Sequence, residues 1–330
     1  MAPLKIVLIT PPMAQLNTPY PATPCLAGFL REKGYRVMQA DLSLALALKL
    51  LSRAGLRAMH EALKPSVKQR SVRFFRKNLE AYVSTISPVI RFLQGRNPRL
   101  TKRIITRTYL PEGPRFSVLS HAKHWPADHT STLMLKDPDL YARYLASLYV
   151  DDLADVIHEG VDPFFELSRY AEKLAITAPS FDPLYSALES RHTLTDTYLE
   201  QLTRRLLTRE KPDAVGLTVP FPGNLYGALR IARCIKACQP SCRIVLGGGY
   251  INTELRQLSD PRIFDFVDFI TLDDGEMPLL RIFQSLEKSK APESFCRTFV
   301  RRGGRVVFCD APAPAGLKEP EAVAPDYSGL

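Results

Sequence analysis

The 330-residue sequence predicts an α/β protein with a Rossmann-like, doubly wound, parallel five-stranded sheet and a large helical insertion. Three observations carry this expectation. Short β-branched apolar runs alternate with helix-periodic segments near both ends of the chain, the signature of parallel strands joined by helical crossovers. The long middle stretch has helical spacing and no strand pattern. Hydrophobic residues make up 45% and charged residues 24% of the chain, an ordinary balance for a protein with a sizeable core.

Taken in order, Lys5 to Thr10 reads as a first strand stopped by Pro11 and Pro12. Cys25 to Lys33 reads as a helix ended by Gly34, Tyr35 to Ala40 as a second strand, and Leu42 to Leu51 as another helix. The alternation resumes with a helix from Asp196 to Glu210, a strand Ala214 to Val219, a helix Leu225 to Ala237 and a strand Arg243 to Leu246. A short helix over Thr253 to Leu258, a strand Phe266 to Leu272 and a helix Pro278 to Glu287 complete the fold. Phe295 to Val300 and Arg305 to Phe308 read as a terminal hairpin around Gly303 and Gly304. The expected division is residues 1–52 and 194–290 for the sheet domain, 53–193 for the insertion, 291–310 for the hairpin, and 311–330 for an Ala- and Pro-rich linker.

In the insertion, Val72, Phe75, Leu79, Val83, Ile86, Ile90 and Leu93 form one apolar stripe, and Pro88 is expected to kink or break it. A second helix, Leu140 to His158, is expected to bury Tyr144, Leu145, Leu148 and Val156 and to keep Asp151, Asp152, Asp155 and Glu159 polar. The net charge of +10 is local, because Lys64 to Arg107 holds twelve Lys or Arg and one acid, Glu80. Such a stretch either packs on acidic helices with its charged face solvated or docks a partner such as an acidic peptide or a membrane; a DNA partner is not expected. The N-terminal apolar run is too short for a signal peptide or a membrane span, which predicts a cytoplasmic protein, and six cysteines without regular spacing read as thiols.

The loops that follow the strands hold the chemistry. After the first strand, Thr10, Pro11 and Pro12 form a rigid turn without the glycines that a dinucleotide site needs. The third strand leads into Thr218, Val219, Pro220 and Phe221, and the fourth into Gly247, Gly248 and Gly249, where the backbone either turns tightly or lies against a flat ligand. After the fifth come Asp273, Asp274, Gly275 and Glu276, placed to cap the next helix. In this order and at these strand ends, the loops resemble the cobalamin-binding domain of cobalamin-dependent radical S-adenosylmethionine enzymes. The resemblance covers about Lys5 to Leu51 and Asp213 to Leu286, and Pro325 to Leu330 looks like the segment leading into that family's catalytic barrel.

The resemblance implies that Thr10, Pro11, Pro12, Thr218, Val219, Pro220, Phe221, Gly247, Gly248, Gly249, Gly275 and Glu276 line the face that receives cobalamin. Many relatives read Gly-Glu-Gly-Glu where this chain reads Asp273-Asp274-Gly275-Glu276. The Asp-x-His-x-x-Gly loop that ligates cobalt in mutases is absent, which implies base-off, His-off binding and suits methyl transfer or related radical chemistry. The Cys-x3-Cys-x2-Cys motif for a [4Fe–4S] cluster is absent too, so cluster and S-adenosylmethionine are expected on a downstream barrel. Cys234, Cys238 and Cys242 are read as core residues, and His121, His124 and His129 around Trp125 lack the spacing of a metal site. No Gly-x-Ser-x-Gly elbow or Walker loop occurs. The expected function is a cobalamin-binding module of such an enzyme, with a peptide held by the basic helix as one candidate substrate; a free-standing corrinoid or small-ligand binding protein is the alternative.

Overall fold

A computed structural model describes residues 4–121, 137–167, 180–190, 192–288, 295–312 and 323–330. Two compact units emerge, one built from residues 1–46, 167–191 and 199–330 and one from 47–166 and 192–198. The boundaries therefore move from those expected. Residues near 180–190 belong with the sheet, because Arg230 Nη1 donates to the Leu188 carbonyl at 2.9 Å.

The sheet unit contains β1 (Lys5–Thr10), α1 (Ala22–Glu32), β2 (Arg36–Asp41) and the start of α2 (Leu42–Leu50). Past the helical unit it continues with β3 (Ala214–Thr218), β4 (Arg243–Gly247), β5 (Phe269–Thr271), β6 (Thr298–Arg302) and β7 (Arg305–Cys309). The order is β2-β1-β3-β4-β5-β6-β7, with the first five strands parallel. The five parallel strands expected are present, and the hairpin extends the sheet to seven. The expected hairpin joins it antiparallel to β5, with Ile270 opposite Phe299, because Phe269 packs on Phe295 at 5.3 Å and Phe299 on Phe308 at 4.9 Å. Gly303 and Gly304, at φ +54° and +76°, make the two-residue turn that matches strand twist.

Ile6, Val7, Leu8 and Ile9 on β1 are all within 1% of complete burial, as a central parallel strand covered on both faces must be. Burying each contributes roughly 1.5–3 kcal/mol. Ile6 and Leu8 share a core with α1 and with the helix Glu276–Lys288, so those two helices cover one face of the sheet. No helix among the described residues is long and apolar enough to cross a membrane.

The helical unit contains α3 (Arg53–Ala62), α4 (Arg70–Lys77), α5 (Leu79–Leu93), α6 (Thr101–Ile105), α7 (Val118–His121) and α8 (Pro138–Gly160). The apolar stripe breaks at Asn78 and not at Pro88, which lies inside α5. Burial of Ile86, Val89 and Phe92 on both sides of Pro88 outweighs the roughly 3 kcal/mol that a proline costs within a helix. Tyr82 of α5 stacks on Tyr149 of α8 with ring centres 5.2 Å apart. On α8, Leu145, Leu148 and Val156 are buried as expected, whereas Tyr144 is half-exposed and Asp152 is buried. Trp125, His124 and His129 lie outside the described residues.

Candidate functional site

Four further helices of the chain are α9 (Asp182–Ser190), α10 (Leu194–Glu210), α11 (Pro222–Cys238) and α12 (Gly249–Glu254), followed by α13 (Glu276–Lys288). A cavity of about 190 Å³ opens at the carboxyl ends of β1, β3, β4 and β5 and descends between the sheet and helices α1 and α13. Parallel sheets bind ligands at this end, beside the point where strand order reverses. The order β2-β1-β3 puts that point between β1 and β3.

The floor is a row of three facing residues, Leu8, Gly216 and Val245, from adjacent strands. A Cβ on Gly216 would meet Leu8 Cδ2 at 2.7 Å, so glycine keeps this row low. Leu26 of α1 and Leu279 of α13 form the opposite wall. The polar lining is Thr23, Thr218, Thr271 and Cys25 with the carboxylates Asp273, Asp274 and Glu276. No cation stands among the lining residues, which repels phosphate despite the two helix N-termini at the rim.

Two groups in this lining have notable surroundings. Thr23 is 1% exposed and its Oγ1 has no hydrogen-bond partner, an uncommon state for a buried hydroxyl. Cys25, in the first turn of α1, has its thiol pushed up by burial and by the nearby Glu276 carboxylate, and so stays protonated at neutral pH.

Of the residues expected to receive a ligand, Thr218, Gly247, Gly248, Gly275 and Glu276 line this cavity. The others stand around it for different reasons. Thr10, Pro11 and Pro12 are buried, held by Asn224 Nδ2 donating to the Pro11 carbonyl at 3.0 Å. Val219 is fully buried, donating to Gly247 O at 2.7 Å and accepting from Tyr250 N at 3.1 Å. Gly249 is close to Pro220, whose carbonyl a Cβ would meet at 3.0 Å. Phe221 is 57% exposed and makes an edge contact with Tyr20 at 6.4 Å, leaving an aromatic surface open to solvent.

The triple glycine therefore has an internal cause. Gly248 adopts φ +116°, and a Cβ there would come within 2.7 Å of the Val219 backbone. The space next to it is occupied by the protein's own chain. The departure at Asp273 also has a local account: its φ of +59° is the left-handed conformation that favours glycine and that Asp tolerates. Asp273 is fixed by an ion pair with Arg256 and by its N–H donating to Asn252 Oδ1 at 2.6 Å.

Sequence reasoning missed Thr23, Cys25, Leu26, Asp274 and Leu279. The available signal was Thr23-Pro24-Cys25 at the start of a helix that follows the first strand's loop. Cys234 and Cys242 are buried, and burial pushes both thiols up to about 12, whereas Cys238 is exposed and accepts from Arg204 Nη1 at 2.9 Å. The 323–330 segment, within the stretch read as a linker, packs on α1 and β2. Asp326 pairs with Arg31, Gln39 Nε2 donates to the Asp326 carbonyl at 2.7 Å, and a Cβ on Gly28 would strike Ala324 O at 2.6 Å. Compared with protein-family models and with curated proteins, the sequence matches none.

Proposed function

We propose that the sheet unit binds cobalamin, holding the uncharged aromatic base that ends the nucleotide arm in the cavity between the sheet and helices α1 and α13, with the arm's phosphate outside the acidic lining and the corrin across the loops above. The observation that carries this reading is the cavity's shape. At about 190 Å³ it is smaller than the roughly 300–1,000 Å³ of a typical small-molecule site, so it suits one flat arm of a larger ligand. Its leucine and valine walls suit an aromatic ring, and the unpartnered Thr23 hydroxyl offers a hydrogen bond to it. The exposed Phe221 ring, backed by the half-buried Tyr20, gives the corrin an apolar surface at the rim.

The lower face of the cobalt is read as free of protein imidazole, since residues 1–46, 167–191 and 199–330, which make up the sheet unit, include no histidine. Bound in a radical S-adenosylmethionine enzyme, cobalamin supplies cobalt-centred methyl transfer or related radical chemistry. In this reading the cluster and S-adenosylmethionine belong to a catalytic barrel, and the sheet unit's part is to bind and orient.

Titration with hydroxocobalamin, followed by visible absorption, is expected to saturate at one equivalent. Electron paramagnetic resonance of the Co(II) form is expected to lack splitting from an axial nitrogen. Cys25→Trp fills the cavity from a half-exposed position and is expected to weaken binding at least tenfold with an unchanged unfolding transition. Equal binding by this variant and the unsubstituted chain would refute the assignment of the arm to this cavity.

A further inference from the structure

The basic stretch Lys64 to Arg107 is left without a role by the cobalamin reading. In the helical unit its helices meet α8 one after another. Thr101 Oγ1 of α6 donates to Asp139 at 2.7 Å, Tyr82 of α5 stacks on Tyr149, and Val72 of α4 meets Gly160. A rise of 1.5 Å per residue separates the two ends of this contact by about 30 Å.

The carboxylates of α8 do not neutralise this stretch. Asp139 is held by Arg143 of its own helix and by Thr101, Asp155 by Arg115, and Glu159 by Ser71; Glu80 pairs with Arg57. Three of the twelve cations are engaged: Arg107 with Glu112, Arg76 with the carbonyls of Lys64 and Val67, and Arg103 over the Tyr109 ring at 4.2 Å. The other nine are exposed and meet no carboxylate among the described residues. On α4, Arg70, Arg73 and Lys77 recur at helical spacing on the side opposite the buried Val72 and Phe75.

Nine uncompensated cations along some 30 Å repel one another and favour a polyanion. The surface between them offers no apolar anchor: Ser66, Gln69, Ser84 and Gln94 are exposed, and Phe74, Tyr82, Phe92 and Tyr109 are buried or half-buried. Membrane insertion needs exposed apolar side chains, tight peptide binding needs anchoring pockets, and single-strand binding needs exposed rings. A duplex needs none of these. It presents one charge per ~1.7 Å of axis, denser than an acidic peptide with residues ~3.3 Å apart.

We propose, against the expectation from sequence that DNA is no partner, that this face of the helical unit binds duplex nucleic acid through its phosphate backbone, without reading bases, over about nine base pairs.

The test is fluorescence anisotropy of the full chain with 20-base-pair RNA and DNA duplexes from 100 to 300 mM salt. Saturable binding at 150 mM salt is expected. The triple variant R70E/R73E/K77E is expected to bind at least tenfold more weakly and to lower the slope of log affinity against log salt by about three. A triple reversal on the sheet unit, R205E/R302E/R305E, makes the same change in net charge and is expected to bind like the unsubstituted chain; circular dichroism establishes that both variants fold. The proposal is overturned by absence of binding at 150 mM salt, by equal loss in both triple variants, or by tighter binding to a 20-residue polyglutamate or to phosphatidylserine vesicles.

Discussion

Replacing Gly248 with valine is expected to destabilise the protein by roughly 3–5 kcal/mol, a large part of the ~5–15 kcal/mol that holds a typical domain folded. Two costs combine. The φ of +116° is a region that side-chain-bearing residues rarely enter, and the new Cβ would sit 2.7 Å from the Val219 nitrogen and oxygen. That backbone cannot retreat, because Val219 N–H donates to Gly247 O and its carbonyl accepts from Tyr250. Urea denaturation followed by circular dichroism measures the loss. A change below about 1 kcal/mol would mean that the loops after β3 and β4 are not in the close contact described. Loss of ligand binding in such a variant reports unfolding of these loops, which is why Cys25→Trp is the cleaner probe of the cavity.

Asp152→Asn is expected to stabilise the helical unit at neutral pH and to flatten its dependence on pH between about 4 and 6. Asp152 is 1% exposed, and burial is the largest cause that raises its carboxyl to about 6 from an ordinary 3.8. Oδ1 accepts from the Arg115 backbone N–H at 2.8 Å, whereas Oδ2 has no partner. The neighbouring Asp155 raises the value further, and the Arg115 guanidinium, paired with Asp155, offsets part of the rise. A carboxyl that binds its proton more tightly folded than unfolded weakens the fold as it ionises. Stability should therefore fall as pH rises from about 4 to 6, by on the order of 2–3 kcal/mol, and stay low above 6. Asn keeps the acceptor for Arg115 and carries no charge, so the difference between variant and unsubstituted chain should vanish near pH 4 and be greatest at pH 7. Thermal melts at these pH values measure it, and a variant less stable at pH 7 would contradict the account.

The central strands were legible because they are runs of apolar residues buried on both faces, as Ile6 to Ile9 and Ala214 to Leu217 are. Their helices were legible from spacing and from stops such as Gly34. The place of the hairpin was not, because its pairing with β5 depends on contacts such as Phe269 with Phe295, distant from any local pattern. Around the site, sequence marked the correct end of the sheet and five of the lining residues. It left the cause of Gly248 open, since a glycine that admits a ligand and one that admits the protein's own backbone look alike in sequence, and here Gly248 both lines the cavity and packs on Val219. It overlooked Thr23 and Cys25, whose place depends on which side of α1 packs toward Leu8 and Leu279. The role of the basic stretch was likewise hidden, because only the fold shows that Arg115, Arg143 and Ser71 already occupy the carboxylates of α8.

The claim that cobalamin enters the cavity between α1, α13 and the sheet is tested most directly at Cys25, which lines that cavity, with the exposed Cys238 as an internal standard. The measurement is the rate of iodoacetamide labelling at each cysteine, read by mass spectrometry with and without saturating cyanocobalamin. The cavity assignment predicts that cobalamin slows labelling of Cys25 at least tenfold and leaves Cys238 unchanged. Saturable cobalamin binding with an unchanged rate at Cys25 would place the ligand elsewhere, and absence of binding by the folded protein would contradict the proposed function itself.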